Sequence, residues 1–163
     1  MKYFYADDGL ASDKDVQKSF QKEYKSWQDQ GVFKPVPISS VPEDSNIISS
    51  HVIYCWKYKG TPKESLKARI VPHGNHDQDR MYLRSDSPAM KPEILRLLCS
   101  FVVDTGYSIK CMDIKTAFLQ TGPLEREVYV VPPKEAEDTK NLWRLLKTVY
   151  GLVDGSIRWH KHS

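Results

Sequence analysis

The chain has 163 residues, of which 40% are hydrophobic and 28% charged, and its formal net charge is +3. These values are ordinary for a soluble globular protein, and the mild positive charge permits a nucleic-acid partner without requiring one. No apolar run approaches the ~20 residues of a membrane span, and residues 1–8 are too short and too acidic for a secretory signal. We therefore expect an intracellular protein, cytoplasmic or nuclear, that is not secreted and has no membrane partner.

The three cysteines, Cys55, Cys99 and Cys111, are widely spaced, and each lies in an apolar run. No Cys-x-x-Cys pair is present, and the histidines near Cys55 lack the spacing of zinc ligands. The pattern excludes structural zinc and predicts buried free thiols in a reducing compartment.

Residues 1–12 are expected to form a flexible arm, and a helix is predicted over 13–30. Ser12 or Asp13 provides an N-cap, and Gly31 provides a left-handed exit. Four apolar or aromatic residues fall at helical spacings of four, four and three: Val16, Phe20, Tyr24 and Trp27. We interpret this stripe as a core-facing surface rather than a set of stacking platforms.

The prolines in residues 32–50 predict an extended, irregular segment. A strand over 51–59, a turn over 60–64 and a returning strand over 66–71 then predict a β-hairpin. Alternation on the second strand places apolar residues on one face and Lys67 and Arg69 on the other. This pair is open to two interpretations. It is either a solvated outer face or a cationic arm that binds a polyphosphate.

A polar loop is expected over 74–90, followed by a largely buried helix from Pro92 to Gly106. Strands are predicted over 127–131 and, with helix as the competing interpretation, over 141–147. The last segment, 150–163, is typical of a loop that enters a helix. Because helices and strands interleave without a regular β-α-β rhythm, the fold class is predicted to be α+β, with packed helices on a mixed or antiparallel sheet.

The run from Tyr107 to Met112 favours a strand that ends at Asp113. A short helical turn is expected to follow and to stop at residues 121–123, where glycine and proline interrupt the chain. Asp113 is then either an N-cap of that turn or, with the carbonyl of Ile114, a ligand of a hard cation. Phe118 would lie beside whatever Asp113 holds.

Three sequence blocks stand in the order Lys67–Gly74, Met112–Leu119 and Leu146–Leu152, with Asp86–Ala89 and Gly122–Pro132 between them. Together they resemble the reverse transcriptase of copia-type LTR retrotransposons, an RNA-directed DNA polymerase. The resemblance runs from about Ser19 to Trp159. It implies a right-hand polymerase in which 13–106 is a fingers-like region and 107–163 is part of the palm.

The resemblance also implies roles for individual residues. Asp113 would be the first catalytic carboxylate and, with the Ile114 carbonyl, would bind Mg²⁺, while Phe118 would exclude a 2′-hydroxyl from the nucleotide site. Lys67 and Arg69 would contact the dNTP triphosphate. Tyr150 and Gly151 would lie beside the incoming base pair, and Arg158 and Lys161 would contact the nucleic acid. The implied partners are dNTP and an RNA or DNA template-primer.

The chain also departs from the family pattern. The family's Asp-Asp hairpin is expected beyond Trp159, but the sequence stops at Ser163, and Asp7-Asp8 lies at the wrong end to replace it. Asp154 would place a negative charge on the template path. We therefore expect weak or absent Mg²⁺ binding and no activity by this chain alone, with a C-terminal polymerase half as a possible partner.

Two alternatives remain open at this stage. The chain is either a non-catalytic nucleic-acid-binding or assembly module derived from a retroelement, or a polypeptide without a retained role. In the second case an incomplete palm sheet would leave an exposed edge and an apolar face, which favour aggregation.

Overall fold

A computed structural model describes residues 3–4, 11–58, 60–86, 89–114 and 116–162. Within these residues the helices are α1 (Asp13–Asp29), α2 (Pro92–Thr105) and α3 (Gly155–His162). The strands are β1 (Tyr3–Phe4), β2 (Phe33–Pro37), β3 (Ile47–Ile48), β4 (Ser50–Lys57), β5 (Ser65–Pro72), β6 (Tyr129–Val130) and β7 (Asn141–Leu145). The mixture of helices and sheets confirms the predicted α+β class.

The first sheet has the strand order β1-β4-β5, and both pairings are antiparallel. Strands β4 and β5 form the predicted hairpin, in which Ile53 pairs with Arg69 and Cys55 with Lys67. Two residues of the segment expected to be an arm, Tyr3 and Phe4, pair with β4. Asp7-Asp8 lies outside the described residues.

The second sheet has the order β2-β7-β6-β3, in which β3 and β6 are parallel and the other pairs antiparallel. The strand predicted over 141–147 is confirmed as β7. The prediction of an irregular segment after residue 32 is wrong for β2, which contains Pro35 and Pro37. Because β2 is an edge strand, its prolines do not interrupt a ladder on both sides.

Helix α1 contributes a large share of the core. Phe20 is 2% exposed and Trp27 is fully buried, which confirms the predicted stripe. Trp27 and Phe33 surround the ring of Trp143, with centroid distances of 6.1 and 4.3 Å. The Ser12 hydroxyl accepts from the backbone N–H of Asp15, as an N-cap should. The packing of α1 therefore joins both sheets into one core.

Helix α2 begins at Pro92, as predicted, and its C-cap is Gly106, which has a left-handed φ of +70°. The predicted burial of this helix is wrong, since none of its fourteen residues is buried. The thiols of Cys99 and Cys111 are also exposed, whereas Cys55 is buried as expected. The sequence supports helix formation here, but no described element covers the apolar side chains.

The strand predicted over 107–112 does not form, and this segment has no regular structure up to Ile114. Its apolar side chains are exposed, with Met112 at 89%. A strand needs a neighbour to pair with its backbone groups, and no described strand pairs with this segment. Within the described residues, no helix is long and apolar enough to cross a membrane.

Candidate functional site

The polar face of β5 carries Lys67 and Arg69, both half-buried, while Ala68 and Ile70 point into the core. Burial and the neighbouring Arg69 lower the pKa of the Lys67 ammonium. Glu23 of α1 and Asp113 act in the opposite direction and raise that pKa. Two carboxylates therefore lie within electrostatic reach of this cationic strand.

Tyr150 connects the cationic strand to a second aromatic side chain. The guanidinium carbon of Arg69 lies 5.3 Å from the centroid of the Tyr150 ring. The Phe118 ring, on the 3-10 turn Ala117–Gln120, meets Tyr150 edge-on at a centroid distance of 4.7 Å. Burial raises the pKa of the Tyr150 phenol, and Arg69 partly opposes this effect. These contacts form a half-buried corner with one cation and two rings.

Asp113 is exposed. It affects the pKa of both Lys67 and Tyr150, which places its carboxylate within electrostatic reach of each. Ile114, which follows it in the chain, is also exposed, whereas Lys115 lies outside the described residues. The structure thus brings together predicted site residues from four separate segments: Lys67, Arg69, Asp113, Phe118 and Tyr150.

The corner has one buried polar atom without a partner. Within the described part of the chain, the Nε of Arg69 is buried and makes no hydrogen bond. Buried donors are normally paired, and a guanidinium is well suited to phosphate oxygens. The donor is therefore compatible with an anionic ligand that lies across β5.

Gly151 is a point of close backbone contact. Its φ is +95°, and a Cβ atom there would overlap the carbonyl oxygen of Pro72, at the end of β5. A Cβ atom on Gly74 would in turn overlap the carbonyl oxygen of Gly151. Only glycine fits at this junction, so the Tyr150–Gly151 loop lies directly against the end of the cationic strand.

Arg158 and Lys161, both assigned to nucleic-acid binding, lie on α3 and line the same cleft, but their side chains differ in exposure. The Nε of Arg158 donates to Asp154 at 2.5 Å, and Nη1 lies 3.8 Å from Glu125. Lys161 is exposed and lines an open cleft of about 400 Å³ that Arg84 also lines. Arg158 is therefore held by the protein's own carboxylates, whereas Lys161 is accessible.

The expectation that Asp154 presents a negative charge to a template is wrong. Its side chain is buried and accepts hydrogen bonds from Arg126 at 3.0 Å and from Arg158. Burial raises the pKa of this carboxyl, but the two guanidinium groups outweigh that effect and lower it overall. The charge of Asp154 is thus neutralised inside the protein.

A buried group of charges, which we call the Arg126 cluster, consists of Arg126, Asp77, Asp154 and Arg158. The Nη2 of Arg126 lies 2.7 Å from Asp77 and 3.0 Å from Asp154. Burial opposes the guanidinium charge, yet hydrogen bonds to both carboxylates raise the pKa of Arg126. Reasoning from sequence missed this cluster, because Asp77 and Asp154 are 49 and 28 residues from Arg126 and no motif links them.

A family model described as "Reverse transcriptase (RNA-dependent DNA polymerase)" matches residues 33–162. The chain belongs to this family. The "Retrovirus-related Pol polyprotein from transposon TNT 1-94" of Nicotiana tabacum is 29% identical over 154 residues, which are 89% of this chain and 11% of the relative. The corresponding polyprotein from transposon RE2 of Arabidopsis thaliana is 29% identical over 73% of this chain and 8% of the relative.

A third relative is the "Truncated transposon Ty1-A Gag-Pol polyprotein" of Saccharomyces cerevisiae, 28% identical over 73% of this chain and 10% of the relative. These relatives confirm the resemblance to copia-type reverse transcriptases on which the sequence analysis relied. The chain spans about a tenth of the length of the curated relatives it matches. No solved structure shows a significant match.

Reverse transcriptases generally use a divalent metal. Magnesium needs several oxygen ligands in near-octahedral geometry, and one carboxylate alone binds it weakly. Across the described ranges, no group of three or more His, Cys, Asp or Glu side chains could hold a metal ion. Asp113 and the Ile114 carbonyl therefore do not make up a magnesium site by themselves, and the residues present do not fit the predicted ion.

Proposed function

We propose that this chain provides the nucleotide-binding corner of a copia-type reverse transcriptase. In this proposal 13–106 acts as fingers, 107–163 as part of the palm, and Asp113 as the first carboxylate of the polymerase centre. The observation that carries the proposal is the convergence of Lys67 and Arg69 of β5 with Tyr150, Phe118 and Asp113.

The chemistry of the corner supports an incoming nucleotide as the ligand. A triphosphate is strongly anionic, and Lys67 and Arg69 supply two cations on one strand face. Phe118 and Tyr150 supply aromatic surface for the sugar and base, at the site where Phe118 would exclude a 2′-hydroxyl. Asp113 is exposed and within electrostatic reach of Lys67 and Tyr150, and in this proposal it faces the primer end.

Nucleotidyl transfer joins a primer 3′-hydroxyl to the α-phosphate of a dNTP and releases pyrophosphate. The described residues do not provide the ligand set that this chemistry requires. We therefore propose that this chain alone does not extend a primer and that further carboxylates from the rest of a polymerase complete the centre.

Equilibrium binding of dTTP, measured by isothermal titration calorimetry, tests the nucleotide corner. Lys67→Ala and Arg69→Ala should each weaken binding about 10- to 100-fold, the range expected for a lost charged hydrogen bond. Lys34→Ala is the matched control, because Lys34 is an exposed cation on β2 in the other sheet. Absence of dTTP binding by the wild-type chain, or an equal loss in the control, would contradict the proposal.

Primer extension on an RNA template with Mg²⁺ and dNTPs tests the proposed inactivity. We expect no product from the wild-type chain. Robust extension that disappears in Asp113→Asn would refute the claim that further carboxylates are needed, while it would support the assigned role of Asp113.

The same assays separate a polymerase part from a binding module. A module would bind an RNA–DNA hybrid in a salt-dependent manner without any affinity for dTTP. Lys161→Ala should weaken hybrid binding, since Lys161 is accessible on the cleft, whereas Lys34→Ala should not.

A further inference from the structure

The Arg126 cluster joins the two segments that form the nucleotide corner. Asp77 follows the 3-10 turn Gly74–His76, which comes directly after β5. Asp154 follows Tyr150–Gly151 by three residues. Arg126 lies between these carboxylates and contacts both of them. One side chain therefore bridges the end of the cationic strand and the loop that carries Tyr150.

The geometry of the bridge uses the whole guanidinium group. Nη1 donates to one oxygen of Asp77 at 3.1 Å, and Nη2 lies 2.7 Å from the other oxygen in an ion-pair contact without hydrogen-bond geometry. Toward Asp154, Nη2 donates at 3.0 Å and Nε at 3.5 Å. The two hydrogen bonds to Asp154 fix orientation as well as distance, and a lysine could not reproduce them.

The centre of the cluster is buried. The side chains of Asp77 and Asp154 are 0% and 4% exposed, and that of Arg126 is 13% exposed. Arg158 supplies a second cation to Asp154, and the half-exposed carboxylate of Asp79 lies 3.5 Å from Nη1 of Arg126 at the edge of the cluster. Asn46 also donates to Asp77 at 2.8 Å. A cluster of this kind holds its members in one arrangement, because a displaced partner would leave an unpaired buried charge.

The bridge lies beside the point where the two segments touch. At that point the backbone of Gly151 contacts Pro72 and Gly74 too closely for any Cβ atom. The contact sets the distance between β5 and Tyr150, and therefore the position of Arg69 over the Tyr150 ring. Glycine at both contacts allows close approach but gives no side-chain anchor, and the Arg126 cluster supplies one.

We propose that Arg126 is a positioning residue of the nucleotide corner, which holds the Tyr150–Gly151 loop against β5 through Asp77 and Asp154. The inference rests on the proposed function, because the ligand it affects is the incoming dNTP. Arg126 does not touch that ligand. It determines whether Arg69, Tyr150 and Phe118 are aligned to bind it.

The test combines dTTP affinity with a readout that is independent of nucleotide. Arg126→Gln alone leaves the buried carboxylate of Asp77 without a cationic partner, while Asp154 keeps Arg158, and it endangers folding. The main variant is therefore Arg126→Gln with Asp77→Asn and Asp154→Asn, which removes Arg126 and its two buried carboxylates together and leaves the partly exposed Arg158 with Glu125. Arg144→Gln is the matched control. It breaks an exposed ion pair, in which Arg144 of β7 lies 2.5 Å from Glu127, and leaves the Arg126 cluster intact. Urea unfolding verifies that each variant is folded.

We expect the triple variant to bind dTTP about 10- to 100-fold more weakly, as for a site displaced by about 1 Å. Hydrogen–deuterium exchange over 148–153 should rise in the triple variant and stay unchanged in Arg144→Gln. In an Arg69→Ala background the triple change should cause a smaller further loss of affinity than in the wild-type chain, because Arg69 is one of the three groups that it misaligns. A purely structural role would instead give losses that add.

Three results would overturn the inference. A folded triple variant with wild-type affinity and exchange would remove the positioning role while leaving the proposed function intact. Additive losses in the Arg69→Ala background would reduce Arg126 to a stabilising residue. A wild-type chain that fails to bind dTTP would remove the proposed function itself, and with it any role for Arg126 in nucleotide binding.

Discussion

Helices α1 and α2 both present large apolar side chains, but within the described residues only those of α1 are buried in the core. Trp27 of α1 is fully buried, whereas Leu97 and Phe101 of α2 are 67% and 52% exposed. The caps differ as well, since Ser12 accepts a backbone hydrogen bond and Lys91 makes no side-chain cap. Burial of apolar area is the dominant favourable term in folding. The apolar side chains of α1 therefore contribute much more to stability than the similar side chains of α2.

The difference indicates where the stability of this chain is concentrated. The unit formed by α1, the two sheets and the Arg126 cluster has a covered core and paired buried charges. Helix α2 and the segment up to Ile114 present apolar side chains that no described element covers. Substitutions in the two regions should therefore have very different effects on the free energy of unfolding.

The largest effect is expected for Trp27→Ala. Removal of a fully buried tryptophan leaves a cavity beside Trp143 and should lower the free energy of unfolding by about 3–5 kcal/mol. Urea denaturation followed by circular dichroism measures the change. Phe101→Ala on α2 is the control and should cost less than about 1 kcal/mol, because half of that ring is already in water. Equal losses would contradict the comparison.

A smaller loss of stability is expected at acid pH, and it should arise in the unit that contains α1, the two sheets and the Arg126 cluster. The folded pKa of Asp154 is lowered by Arg126 and Arg158 against the effect of burial. Its stabilisation is therefore complete above the ordinary aspartate pKa, about 3.9, and is lost as the pH falls through the lower folded value. Urea titrations from pH 6 to pH 2.5 should show this loss.

Asp154→Asn provides the check on that assignment. The variant should be less stable than wild type at pH 6 and should show a flatter decline in acid. Asp104→Asn, at an exposed position on α2, should leave the acid profile unchanged. An Asp154→Asn profile parallel to wild type would show that other carboxylates cause the decline.

The next effect concerns the helix caps. Ser12→Ala should destabilise the chain by about 1 kcal/mol, since it removes the oxygen that accepts from the N–H of Asp15. Lys91→Ser adds a cap to α2 and should increase helicity without changing the urea midpoint of tryptophan fluorescence, because α2 is outside the core. A shift of that midpoint by Lys91→Ser would mean that α2 folds with the core.

The smallest effect on folding is expected on the exposed face of α2. Leu97→Gln and Val103→Gln should change the free energy of unfolding by no more than about 0.5 kcal/mol. The same substitutions should reduce self-association in sedimentation velocity, because large exposed apolar patches promote contact between molecules. A loss of stability well above that range would show that α2 has a partner within this chain.

Several elements could be predicted because their signals are local. The α1 stripe, the Ser12 cap, the β4–β5 hairpin and the left-handed exits at Gly31 and Gly106 follow from side-chain spacing and backbone sterics. The strand expected over 107–112 did not form, because β-propensity has no effect without a partner strand. The prediction that α2 is buried is wrong for a related reason, since periodicity indicates an apolar face but not what covers that face.

For the candidate site, the sequence motifs indicate four residues that the structure brings together: Lys67, Arg69, Phe118 and Tyr150. Their assigned roles stay predictions. Asp154 was interpreted wrongly, because its charge was judged without its partners. Arg126 was missed altogether, since its contacts join residues far apart in the chain.

The sequence by itself determined the family, the α+β class and the local elements, because motifs, periods and caps act over a few residues. Only the tertiary structure decided which apolar faces are covered and which charges are paired. Burial and ion pairing depend on residues that are distant in sequence and close in space, as Asp77, Arg126 and Asp154 are.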